Sequence, residues 1–194
     1  MKRGSLAAAL VLLLLAQGCV FDPRDAEPPD TDEQDTWIIP NTARDVFLNL
    51  ESGFESPKNS NYDRSLDPEF RFYPRTEDEL TLGSDAFADW TKTVELGWLT
   101  RVKEEYPAAR TVQFGDSELR FEYEDTSSNP AVFEGQYMIT LDPADGSGVD
   151  TVAGIARFVV YQGTQGWVLT EWRDIDVNGN YPTSGYLRAT LRAL

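Results

Sequence analysis

The stretch GWVLTEWRDI, residues 166–175, decides how the rest of the chain is read. It is rich in β-branched and aromatic residues, and it ends on an acidic pair of positions around Ile175. Upstream, TVAGIARFVVYQG (151–163) is the same kind of segment. AVFEGQYMITL (131–141) lies before that, across the turn DPADGSG (142–148). Within the last of these, Phe133, Gly135, Tyr137, Ile139 and Leu141 recur at every second position, the period of a half-buried strand. Long strands that follow one another through Gly- and Asp-rich turns, with no helix between them, imply an antiparallel sheet.

Further upstream, RTVQFG (110–115) and ELRFEYE (118–124) give another strand pair, parted by a break or bulge at Gly115-Asp116. Before residue 107 the period changes. Ser84 is placed to cap a long helix with Asp85 in its first turn, and Phe87, Trp90, Val94, Trp98 and Val102 form one stripe. Gly97 is a point where it could bend, and Pro107 ends it after Tyr106. Asn41 or Thr42 caps an earlier helix with Asp45 in its first turn, an apolar face of Val46, Phe47, Leu50 and Phe54, and a stop at Pro57. A short helix KNSNYDRSL (58–66) follows and brings Tyr62 and Leu66 to one face. Asp67-Pro68 then turns the chain into EFRFYP (69–74), where Phe70 and Phe72 alternate as on a strand.

Helix, helix, strand, long helix and then a run of strands is an α+β order. With Trp167, Leu169, Trp172 and Asp174 in the last strand and YLRATLRAL (186–194) after it, the chain from about Thr42 to Arg192 resembles the nuclear-transport-factor-2-like (NTF2-like) superfamily. That resemblance implies a cone: a curved antiparallel sheet wrapped around a long helix, with N-terminal helices and an apolar pocket at the mouth. A small β-sandwich or lipocalin-like barrel is the alternative architecture, though the helix around Trp90 sits badly in either. Ketosteroid isomerase relatives within the superfamily use an aspartate base with a tyrosine-type oxyanion donor. Scytalone dehydratase relatives use histidine, and this chain has none. The resemblance therefore directs attention to Tyr62, Asp89, Tyr123, Tyr137 and Asp174, with Asp174 the nearest candidate base. A base there needs an apolar setting to raise its pKa; otherwise Asp174 bonds the sheet edge or pairs with Arg173 or Arg157. The aromatic stripe of Trp90, Trp98, Phe70 and Phe72 either lines a pocket or fills a core. Tyr62, Trp90, Tyr123, Tyr137 and Asp174 make up the candidate ligand-binding set, and no catalytic residue is assigned.

DIDVNGN (174–180) matches the first half of a calcium loop through Asp174, Asp176, Asn178 and Gly179. Its twelfth position is Gly185 rather than a bidentate glutamate, so a polar surface turn is expected instead. Asp142, Asp145 and Asp150 in DPADGSGVD equally need no ion. Neither a metal nor a cofactor is expected.

At the other end of the chain, Lys2 and Arg3 precede an uncharged apolar run, Leu6 to Ala16. It is too short to span a bilayer, which takes about 20 residues. Ala16, Gln17 and Gly18 lead directly to Cys19, the only cysteine. These residues resemble the lipobox of bacterial lipoproteins, with Ala16 where leucine is usual. The resemblance implies a signal peptide over 1–18, a lipidated Cys19, and anchoring of the chain in a membrane. A lone cysteine has no internal disulfide partner, and acylation removes the free thiol. Residues 19–36 continue as an acidic, proline-containing tether with the composition of a disordered segment, and 37–194 is expected to be one domain.

The whole chain carries a net charge of −16. Loss of Lys2 and Arg3 with the leader leaves 15 basic against 33 acidic residues, or −18. Such a surface repels nucleic acid and anionic lipid. Without histidine, imidazole-dependent triads and metal sites are excluded. The expectation is a non-enzymatic lipoprotein of the cell envelope that binds a small apolar ligand or a partner protein. The alternative is a hydratase- or isomerase-type enzyme with an Asp/Tyr pair in the cone. Val20, rather than aspartate, after Cys19 implies the outer membrane.

Overall fold

The computed structural model describes residues 37–146 and 148–192. Cys19, the leader and the tether lie outside the described residues. Within them the order is α1 (Asp45–Glu55), α2 (Ser60–Ser65), β1 (Leu66–Tyr73), α3 (Thr76–Leu82), a 3-10 turn (Ser84–Ala86) and α4 (Lys92–Glu105). Then come β2 (Ala109–Phe114), β3 (Tyr123–Asp125), β4 (Ala131–Asp142), β5 (Asp150–Gly163), β6 (Gly166–Val177) and α5 (Ser184–Thr190). This is the α+β class expected.

One curved, unclosed sheet runs β1-β6-β5-β4-β2, with β3 pairing β4 beyond the end of β2. The expected sheet is antiparallel; the observed one is mixed, because β1 runs parallel to β6. A parallel pair needs a long crossover, and the whole of α3 to β5 lies between these two strands, so either direction is open to the chain. Register shifts between Ile155 and Ala156, and between Val159 and Val160, interrupt the β5–β6 ladder. Such bulges bend a sheet and sharpen its twist.

The concave face is packed with aromatic rings. Phe47 of α1 lies 4.7 to 5.3 Å, centroid to centroid, from Phe114, Phe121, Phe133 and Phe158. Trp172 continues the cluster against Phe114, Tyr137 and Phe158. Burying each such ring contributes roughly 1.5–3 kcal/mol. Gly53 lets α2 approach α1: a Cβ there would collide with the Tyr62 backbone.

Several expected boundaries move. No side chain caps α1; Asp45 accepts a hydrogen bond from the Thr42 backbone N–H (2.8 Å) and ties down the entry instead. Leu66, Asp67 and Pro68 belong to β1, not to a helix and a turn. The helix expected from Ser84 to Tyr106 is broken. Residues 84–86 form only a 3-10 turn, Asp89 has φ +53°, and α4 begins after Thr91. A left-handed residue cannot continue a right-handed helix. The Trp90 carbonyl accepts from Phe72 N–H and holds this stretch to β1. Of ELRFEYE only Tyr123 and Glu124 are strand, in β3, which continues to Asp125. Before it, Gly115 and Leu119 both have positive φ, and the Asp116 carboxylate accepts from the backbone of Glu118 and Arg120.

The N-terminal approach to α1 is fastened. Buried Asn49 accepts from Ile38 N–H (2.9 Å) and donates to Ile38 C=O (2.7 Å). Trp167 N–H donates to Pro40 C=O (3.1 Å), and the Arg64 guanidinium lies 4.4 Å over Trp37. Gly166, at φ +115°, leaves the space Pro40 occupies.

Candidate functional site

Strand alternation places Trp172 and Asp174 of β6 on the concave face beside Tyr137 of β4. Asp174 is 3% exposed. Its Oδ1 accepts from Trp172 Nε1 (2.9 Å) and Ser184 Oγ (3.0 Å), and its Oδ2 accepts from Ser184 Oγ (2.8 Å) and Gly185 N–H (2.9 Å). The Ser184 N–H donates to the Tyr137 hydroxyl (2.8 Å), which lies against Gly154. Burial raises the pKa of Asp174, against the opposing pull of Arg188 and of the donors from Ser184, Trp172 and Gly185. Burial likewise raises Tyr137 well above the ordinary tyrosine value, with the Asp174 charge adding to it. Neither Arg173 nor Arg157 pairs with Asp174; its donors are Trp172 on its own strand and Ser184 and Gly185 at the start of α5.

A second buried carboxylate lies deeper. Glu95 of α4 accepts from Tyr62 Oη (2.8 Å) and Arg188 Nη2 (2.6 Å) at Oε1, and from Trp90 Nε1 (2.7 Å) and Arg188 Nε (3.0 Å) at Oε2. Both members of the Glu95–Arg188 pair have no exposed side-chain surface. The Arg188 guanidinium carbon is 4.1 Å from the Phe72 ring centroid, 4.3 Å from Trp172 and 4.4 Å from Trp98. Burial alone would lower the Arg188 pKa, but the charge and hydrogen bonds of Glu95 raise it. Burial raises Tyr62 well above its usual value, and the Glu95 charge adds to that. Breaking a pair of this kind costs roughly 3–5 kcal/mol, because the survivor is left charged and unpaired.

Four of the five candidate residues, Tyr62, Trp90, Tyr137 and Asp174, thus share one network. Tyr123 stands apart on β3 and is 53% exposed. Of the aromatic stripe, Trp90, Trp98 and Phe72 join the network. Sequence reasoning missed Glu95, Ser184 and Arg188. Glu95 was detectable: with Trp98, Leu99 and Val102 it falls at i, i+3, i+4 and i+7 on the buried face of α4.

The segment around α5 is tied to the elements beside it. Thr183 Oγ1 donates to Asp78 of α3, Leu187 is buried, and Arg192 donates to the carbonyls of Asp85 and Ala88 (both 2.8 Å). Two open depressions lie among the described residues. One, of about 550 Å³, is lined by Arg71, Tyr73, Arg173, Glu79, Asp85 and Asp89, and reaches Phe72, Phe87 and Trp90 at the edge of the network. Another, of about 450 Å³, lies beside Arg44, Glu124 and Trp167. In DIDVNGN, Asp174 points inward, Asp176 accepts from Val177 N–H, and Asn178 donates to Gln136. Among the described residues, no group of three His, Cys, Asp or Glu side chains is arranged to hold a metal.

No protein-family model and no curated protein matches the chain. Solved structures do. A conserved protein from Planctomyces limnophilus superposes with a TM-score of 0.53 at 14% identity, over 69% of this chain and 92% of its own. An NTF2-like superfamily protein from Salmonella enterica gives 0.52 at 12% identity, over 74% and 94%. A Kribbella flavida protein gives 0.52 at 10%, over 74% and 92%. The fold is the NTF2-like cone. At such identities the likeness is one of fold alone.

Proposed function

We propose that this chain is a non-enzymatic lipoprotein of the cell envelope, anchored through Cys19, whose cone is closed on itself and which works by binding a partner protein on its exterior. One observation supports the non-enzymatic part: the fully buried Arg188 side chain, paired with Glu95, takes up core space that a substrate or apolar ligand would need. The lipobox-like residues before Cys19 and the acidic tether support the anchoring, and Val20 supports the outer membrane.

The enzymatic reading draws on Asp174, a buried carboxyl of raised pKa beside Trp172 and Tyr137. Against it, both Asp174 oxygens already accept hydrogen bonds from Trp172, Ser184 and Gly185. Native mass spectrometry of the full chain purified from its own host tests the proposal. The expected spectrum carries diacylglyceryl mass on Cys19, lost in Cys19→Ala, and no small molecule. A stoichiometric apolar ligand would overturn the closed cone, and an unmodified Cys19 would overturn the anchor.

A further inference from the structure

The contacts around Arg188 have the composition of a receptor for its side chain. Glu95 also accepts from Tyr62 of α2 and from Trp90 ahead of α4, so its carboxylate has two donors besides Arg188. Phe72, Trp98 and Trp172 come from β1, α4 and β6 and present their rings to the guanidinium at 4.1 to 4.4 Å. Aromatic faces attract a cation by their quadrupole, most strongly where water is excluded. A carboxylate with two free syn positions matches the planar fork of a guanidinium, and an ammonium cannot reproduce that match. The Nε and Nη2 edge is read by Glu95, whereas Nη1 has no hydrogen-bond partner. The charged groups facing this space are Glu95, Asp174 and Arg188 itself, so without Arg188 it keeps only acidic groups.

We propose that the interior of the cone is a binding site for an alkylguanidinium ion, and that Arg188 occupies it in cis. The occupant is delivered by the short helix α5, at the end of a segment carrying Gly179 (φ +70°) and exposed Tyr181. The inference rests on the closed cone proposed above, and the test separates the two.

Arg188→Ala in the full chain vacates the cage and leaves Glu95 held by Tyr62 and Trp90. Thermal unfolding is followed with millimolar methylguanidinium at constant ionic strength, with urea as the neutral planar control and methylammonium as the compact cation. The variant melts below the wild type, and methylguanidinium raises its Tm with the logarithmic concentration dependence of one-site binding, by about 3 °C at roughly tenfold its Kd. Methylammonium does less and urea nothing. Arg188→Gln, which retains part of the stem, is titrated alongside. Where either variant is unfolded alone, recovery of the near-UV tryptophan signal with methylguanidinium takes the place of Tm. Failure of methylguanidinium to act on both variants, or an equal effect of urea, overturns the site. Rescue persisting in Glu95→Gln/Arg188→Ala overturns the role given to Glu95. A gain of the same form in the wild type, absent with urea, overturns the cis occupancy and the closed cone together, while leaving the cage itself standing.

Discussion

Burial raises the pKa of Asp174, so the folded chain holds this proton at pH values where the unfolded chain, with its value near 3.8, has released it. The sign follows from proton counting. Between 3.8 and the raised value the folded state binds more protons, so this residue's contribution to stability falls as pH rises through that window. Asp174→Asn removes the dependence. At neutral pH the variant is still less stable, by roughly 1–3 kcal/mol, because one of the donors from Trp172, Ser184 and Gly185 loses its acceptor. Urea unfolding of both proteins across pH 4 to 7 checks this: the wild-type advantage is expected to shrink as pH rises. An advantage that grows would mean that the hydrogen bonds outweigh burial.

At the scale of elements, the closest approach is that of α1 and α2 at Gly53. Gly53→Ala pushes a methyl group into the Tyr62 backbone, and Tyr62 in turn positions Glu95. The cost expected is that of overpacking, about 1–3 kcal/mol, or more if α2 cannot yield. Chemical denaturation measures it, and a neutral result would show that the two helices separate freely. The elements that could be read in advance are those whose pattern is long and uniform. β4, β5 and β6 run 12, 14 and 12 residues, and in β4 the buried positions fall where the alternation placed them. The stripe from Phe87 to Val102 reads as one helix because all its apolar residues are buried or half-buried on the same core. Periodicity alone does not register that Asp89 reverses φ between them. α3 escaped notice because TEDELTL (76–82) is nearly all polar, and its Leu80 faces solvent. The candidate site was half legible. Tyr62, Trp90, Tyr137 and Asp174 stood out as aromatic or acidic residues in core-like settings. Arg188 did not, since a charged residue in a short tail carries no mark of burial until its partner is known.

For the molecule as a whole, charge is the dominant imbalance. A chain at −16 repels itself, and salt screens that repulsion over distances of about 10 Å at 0.1 M. The Glu95–Arg188 pair, with no exposed side-chain surface, is beyond such screening. Tm is therefore expected to rise as sodium chloride is added from low concentration, and scanning calorimetry across a salt series reads it. A falling Tm would mean that surface pairs such as Arg120–Asp116 and Lys92–Asp63 outweigh the net repulsion.

The fastening at the entry to α1 has a mechanical consequence. Tension applied from the N-terminal side of Trp37 meets two hydrogen bonds between Asn49 and Ile38, then one between Pro40 and Trp167 at the β5–β6 turn. A pull from that side is thus shared between the first helix and the β5–β6 hairpin. Asn49→Ala would lower the force at which the domain first yields, and a single-molecule stretching record would register it.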